Sequence, residues 1–126
     1  MKKQFLIGLI ALFLVCGYAV FHIGSTQAAP HTDVTITYAN DVRPILENRC
    51  AQCHMGDFVS AGLNMNTYET LMQGSQDGPV IVPGNAKASL LIQKISKGEM
   101  PKRGPKLTPA QIQTLTDWIN AGALNN

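Results

Sequence analysis

Cys50-Ala51-Gln52-Cys53-His54 lies near the middle of a 126-residue chain and is its most specific local pattern. The C-x-x-C-H spacing is the attachment signature of c-type haem. Two thiols three positions apart on a helical turn can each add to one vinyl group of the same porphyrin, forming two thioethers. The histidine directly after the second thiol is then held beneath the iron, where its imidazole becomes the proximal axial ligand. The competing readings are a thioredoxin-like redox pair, half of a zinc site, or coincidence. A zinc site needs more Cys or His ligands at suitable spacing. Beyond the motif the chain offers only Cys16, His22 and His31, all in or beside its N-terminal segment. A redox pair normally follows a strand in a βαβ unit, and no such pattern surrounds residues 50–54. The motif names one covalent haem c, held through Cys50 and Cys53 with His54 on iron. It leaves the function open.

Upstream of the motif, Asn40 or Asp41 can cap a helix that tolerates Pro44 in its first turn. Val42, Ile45 and Leu46 form an apolar stripe at helical spacing, with the long basic side chain of Arg49 at its end. This helix delivers Cys50, Cys53 and His54. Downstream, residues 55–65 are small and glycine-containing, a loop able to wrap a flat cofactor. Asn66 with Glu69 three positions later reads as a capping box opening a short helix that Gly74 stops. The stretch from Gly74 to Gly84, with the apolar patch Val80-Ile81-Val82, reads as a loop. Asn85 or Ser89 starts a third helix through Leu90, Leu91, Lys94 and Ile95, and Gly98 ends it. The last helix has the clearest start: Thr108 as cap, Pro109 at its first position and Gln111 closing a capping box. Its apolar face is Ile112, Leu115, Trp118 and Ile119, and Gly122 ends it. Val34 and Ile36 alternate with Thr, a strand signal too short to build a sheet.

The expected fold class is therefore all-α, with about four short helices joined by glycine- and proline-rich loops. Such a set cannot bury much apolar surface alone in a domain of this size. The haem, a large apolar plate, has to complete the core, and the apo-protein is expected to fold poorly.

The first 28 residues read separately. Lys2 and Lys3 precede an uncharged apolar run from Phe5 to Phe21, and a small polar segment from Gly24 to Ala29 follows. That order is an export signal. Signal cores run about 7–15 residues and membrane helices about 17–25, so an uncleaved membrane anchor is the alternative, with an apolar helix contacting the membrane through residues 5–21. The two lysines place the following domain outside the cytoplasmic membrane under either reading. Cys16 raises lipidation, but Phe13-Leu14-Val15 lacks the small residue expected beside a lipidated cysteine. Residues 29–37 read as a linker, with His31 solvated, and 38–126 as the folded domain. Lys2 and Lys3 account for the formal net charge of +2. The remainder is balanced, so charge gives no argument for nucleic acid, and no nucleic-acid motif is present.

Taken together, these residues resemble class I cytochrome c. The resemblance rests on Asp41-Val42-Arg43-Pro44-Ile45-Leu46, Cys50 to His54, Val82-Pro83-Gly84, Ser89-Leu90-Leu91, Met100-Pro101, and Leu107-Thr108 through Trp118-Ile119-Asn120-Ala121-Gly122-Ala123. It implies a cytochrome c-like fold around one haem. It also implies that Met100, the methionine before the proline, is the distal iron ligand, a neutral thioether that favours ferrous iron. Met55, Met65 and Met72 are the rivals. Met55 directly follows the proximal histidine, while Met65 and Met72 lie in or beside a short helix whose apolar positions face the core. Two departures stand out. The first helix carries Asp41 and Ile45 where the family commonly has Gly-x-x-x-aromatic, so Ile45 and Leu46 are expected to pack on Trp118 and Ile119 instead. Lys102 follows Met100-Pro101 where related domains often place a second proline.

With both axial positions filled, the reading is one-electron transfer by an exported carrier or complex subunit at the outer face of the membrane, not an enzyme. Its partners are then redox donor and acceptor proteins. Lys94, Lys97, Lys102, Arg103 and Lys106 surround the Met100 loop with Glu99 the only acid among them. This basic rim suits an acidic partner, the plain alternative being a solvated charge run. The alternative function is a haem enzyme or gas sensor with an open distal site. Against it, no His, Arg or carboxylate cluster suggests distal chemistry.

Overall fold

Thr37, rather than Asn40 or Asp41, caps the first helical stretch. Its backbone is extended and its hydroxyl accepts the Asn40 N–H at 3.3 Å. The Asp41 carboxylate turns back to accept from the Thr37 N–H at 2.7 Å and from its hydroxyl at 2.9 Å. The stretch therefore begins earlier than the sequence pattern suggests, and Asp41 sits inside the first turn, where negative charge favours a helix start. This arrangement is seen in a computed structural model that describes residues 35–126. The N-terminal segment expected to be a signal or anchor, with its apolar run, Cys16, His22, His31 and most of the 29–37 linker lie outside the described residues.

A π-turn, Tyr38–Val42, leads into α1, Arg43–Arg49. Cys50 leaves helical geometry (φ −118°, ψ −21°), and α2, Ala51–His54, follows at once. The single expected helix is thus three pieces. A 3-10 turn at Ser60–Gly62 punctuates the loop after His54. The next helix, α3, Tyr68–Gln73, is capped by Thr67, one residue later than expected, and its capping box is closed by Thr70 instead of Glu69. Asn66 is engaged elsewhere: its side chain accepts the Gly56 N–H at 2.9 Å and donates to the Gly56 carbonyl at 3.1 Å, tying the loop closed.

Ser89 precedes α4, Leu90–Ser96, as expected, but without capping it. Its fully buried hydroxyl accepts the Val82 N–H and donates to the Asn85 carbonyl, both at 2.9 Å, and so pins the loop before the helix. The last helix, α5, Pro109–Asn120, starts as the sequence implies, with the Thr108–Gln111 capping box formed and Pro109 in the first turn. Among the described residues there is no β-strand, only an isolated bridge between Ser75 and Gly78. Nor is any described helix long and apolar enough to cross a membrane.

One apolar core joins the elements, with Val42, Leu46, Leu71, Leu115, Trp118 and Ile119 almost wholly inaccessible to water. Helix α5 packs on α4 and on the π-turn. The aromatic contact to Trp118 comes from Tyr38, with ring centroids 5.6 Å apart, and Tyr68 meets Tyr38 edge-on at 5.2 Å. Ile45 and Leu46 share this core with Trp118 and Ile119, and Tyr38 adds an aromatic contact to the indole that the sequence pattern did not indicate. The fold is all-α.

Candidate functional site

Arg49 at the end of α1, Cys50, and Gln52, Cys53 and His54 of α2 form one wall of a cavity of about 470 Å³. Cys50, Cys53 and His54 all line it, and so does Met100 from the loop after α4. The size falls within the range of small-molecule and cofactor pockets. Leu63, Val80, Leu91 and Ile95 give it an apolar lining, suited to a flat hydrophobic group. Positions 50, 53 and 54 are i, i+3 and i+4, so the two half-buried thiols and the imidazole share one face of the helical turn.

Both cysteines are free thiols. Burial pushes the Cys50 thiol up to about 11, with the neighbouring Cys53 a smaller cause. Among the described residues no group of three His, Cys, Asp or Glu side chains is arranged to hold a metal ion. The motif is instead arranged as a two-thiol, one-imidazole wall facing an apolar space.

The His54 Nδ1 lies 3.3 Å from the Leu63 carbonyl oxygen. With the ring proton on Nδ1, His54 donates to Leu63 and leaves Nε2 free to ligate. Such a partner fixes the tautomer and the ring orientation of a metal-binding histidine. No side chain identifies this acceptor, and nothing in the sequence marked it. The loop reaches it through the left-handed Gly62 (φ +66°), next to Leu63.

Of the rival methionines, Met65 also lines the cavity and is almost wholly buried. Its backbone N–H donates to the His54 carbonyl at 2.7 Å, so Met65 is anchored to the histidine side. Met55 and Met72 pack against the core. Met100 comes from a separate segment, its N–H donating to the Lys94 carbonyl at the end of α4.

The five basic residues near Met100 are not equivalent. Lys94, Lys102 and Arg103 line the cavity mouth, while Lys97 and Lys106 do not. Lys94 is paired with Glu99 at 2.5 Å, and Lys106 donates to the Pro101 carbonyl. The Lys94 ammonium beside Glu99 holds that carboxyl below its usual range. A further cation belongs to the site. Arg49 lines the cavity, and its Nε is buried without a hydrogen-bond partner among the described residues. The sequence signal was only a basic residue directly before Cys50.

Residues 50–104, from the first thiol to just past Met100, match the family model described as Planctomycete cytochrome C (PSCyt1). No curated protein and no solved structure matches the chain. The matched segment supports a c-type cytochrome-like domain, a cytochrome c-like fold and haem-based electron transfer as the general class.

Proposed function

We propose that this domain is a monohaem electron-transfer protein of the exported compartment, with His54 and Met100 as the axial ligands of one haem c. The observation that carries the reading is the shared cavity: Cys50, Cys53, His54 and Met100 come from two distant segments and line a single apolar space. Cys50 and Cys53 hold the group from one wall. His54, with its Nδ1 proton directed at Leu63, offers Nε2 to iron, and Met100 offers a neutral sulfur. A haem c held by these residues would supply reversible one-electron chemistry, and ligation by both His54 and Met100 would leave no open iron position for substrate. Leu63, Val80, Leu91 and Ile95 keep part of the wall apolar, while α2 carries His54 and the loop after α4 carries Met100. Lys102 and Arg103 at the mouth favour an acidic redox partner. The targeting segment supports work outside the cytoplasmic membrane, as a mobile carrier or as a tethered subunit.

The test is the optical spectrum of purified holoprotein, ferric and ferrous, with and without carbon monoxide. A low-spin c-type ferrous spectrum, the weak red band of methionine-bound ferric iron and no response to carbon monoxide are the expected results. High-spin iron that takes up carbon monoxide would overturn the Met100 assignment and favour an enzyme or sensor.

A further inference from the structure

Arg49 stands out once the cavity is described. The other cations at the cavity have an outlet. Lys94 is neutralised by Glu99, and Lys102 and Arg103 are exposed to solvent, which screens them. Arg49 is different: it is half-buried, it forms no ion pair among the described residues, and its Nε–H meets no acceptor. A guanidinium never sheds its proton in a protein, so burial leaves the charge in place instead of removing it. Asp77, the one carboxylate on the cavity wall, is exposed and unpaired with Arg49. A porphyrin tethered by two thioethers carries its carboxylates on the edge away from them, and Arg49 directly precedes the first tethering residue, Cys50.

We infer that Arg49 is a potential-setting residue: an uncompensated positive charge at the thioether edge that raises the reduction potential of the haem held by Cys50 and Cys53. Ferric iron carries one more positive charge than ferrous iron, so a nearby fixed cation disfavours the oxidised form. The effect acts through space and requires no contact with iron. It adds to the preference for ferrous iron that a thioether ligand provides. The inference rests on the proposed haem site, and the test separates the two.

The test compares midpoint potentials of holoprotein, with covalent haem first verified by its alkaline pyridine spectrum. Absence of covalent haem from the wild type would fail the proposed site, not the role of Arg49. With haem present, Arg49→Gln is expected to lower the equilibrium constant for reduction about tenfold, the order for one unit charge acting over roughly 12 Å at an effective dielectric near 20. For a one-electron couple that is a shift of about 59 mV. Arg49→Lys keeps the charge and should stay near the wild-type potential, as should Lys87→Gln, which removes an exposed cation outside the cavity. Should Arg49→Gln fail to take up haem, Arg49→Met carries the same comparison. An unchanged potential in the neutral variant, or an equal fall in Arg49→Lys, would overturn the inference.

Discussion

The imidazole of His54 and the carbonyl of Leu63 meet at 3.3 Å, across a loop of only nine residues. That loop is held at two further points. Met65 donates to the His54 carbonyl at 2.7 Å, and Asn66 clamps Gly56 through both of its side-chain groups. The histidine is thus oriented by backbone that the same loop supplies. A carbonyl acceptor also raises the basicity of the ligating nitrogen.

The same loop separates the two methionine candidates that line the cavity, buried Met65 and partly buried Met100. Met65 is tied to the His54 side, whereas Met100 is carried by the segment after α4. Met100→Ala holoprotein is expected to lose the weak red ferric band, gain carbon monoxide binding and fall in potential. Met65→Leu keeps the buried volume, so it should cost less than about 1.5 kcal/mol of stability and leave the axial spectrum unchanged. Optical and potentiometric comparison of the two variants decides the ligand. A reversed pattern would assign it to Met65.

Gly74 ends α3 at φ +89°, ψ −151°, a backbone region open essentially to glycine alone. A Cβ there would lie 2.4 Å from the Gly78 carbonyl oxygen and 2.8 Å from the Pro79 Cα, both backbone atoms with little room to yield. Gly98 also has positive φ, at +68°, but opens onto free space. Gly74→Ala should therefore cost about 3 kcal/mol or more, combining strain with a clash, and Gly98→Ala only about 1–2 kcal/mol. Denaturant midpoints of the two holoproteins test the order. Equal losses would mean that the close approach at Gly74 does not constrain the fold.

These positions show what the sequence disclosed and what it could not. The Thr108-Pro109-Ala110-Gln111 start of α5 was legible because a capping box is local chemistry, complete within four residues. Asn66-Thr67 offered two adjacent caps, and the choice went to Thr67 because Asn66 is drawn away to Gly56, a contact ten residues distant. Tyr38 was missed as the partner of Trp118 because the helical start moved to Thr37, bringing a ring onto the indole. That Cys50, Cys53 and His54 share one wall was legible from spacing alone. The Leu63 acceptor was not, since every residue has a carbonyl and only the path of the chain selects one. Arg49 was visible as a charge, but not as a charge without a partner.

Asp41 makes the start of the fold pH-dependent. The hydrogen bond from the Thr37 N–H, and then that from its hydroxyl, hold the Asp41 carboxyl below the usual aspartate value. A depressed folded-state pKa means that the folded protein binds this proton less readily than the unfolded chain does. The stabilisation is therefore fully present above the unfolded value of roughly 3.9 and is lost as pH falls through the lower folded value. Asp41→Asn should be less stable than wild type at neutral pH, with the gap closing below about pH 4. Thermal midpoints of both holoproteins across that range provide the check. A gap independent of pH would mean that the charge on Asp41 contributes nothing.

The cavity mouth makes the final prediction, which concerns rate. Lys102 and Arg103 line it and are exposed, and neither forms an ion pair among the described residues. Lys94 shares the mouth, but Glu99 already offsets its charge. If the mouth receives an acidic redox partner, changing both Lys102 and Arg103 to Gln should slow second-order electron transfer about tenfold at low ionic strength. It should also flatten the salt dependence, because rim charges act mainly on association. Lys94→Gln should do less, since it removes a charge that its neighbour has largely cancelled. Stopped-flow reduction by an acidic partner over a range of salt concentrations measures all three proteins. Rates unchanged by the double substitution would mean that these cations only solvate the surface and that partners approach the haem elsewhere.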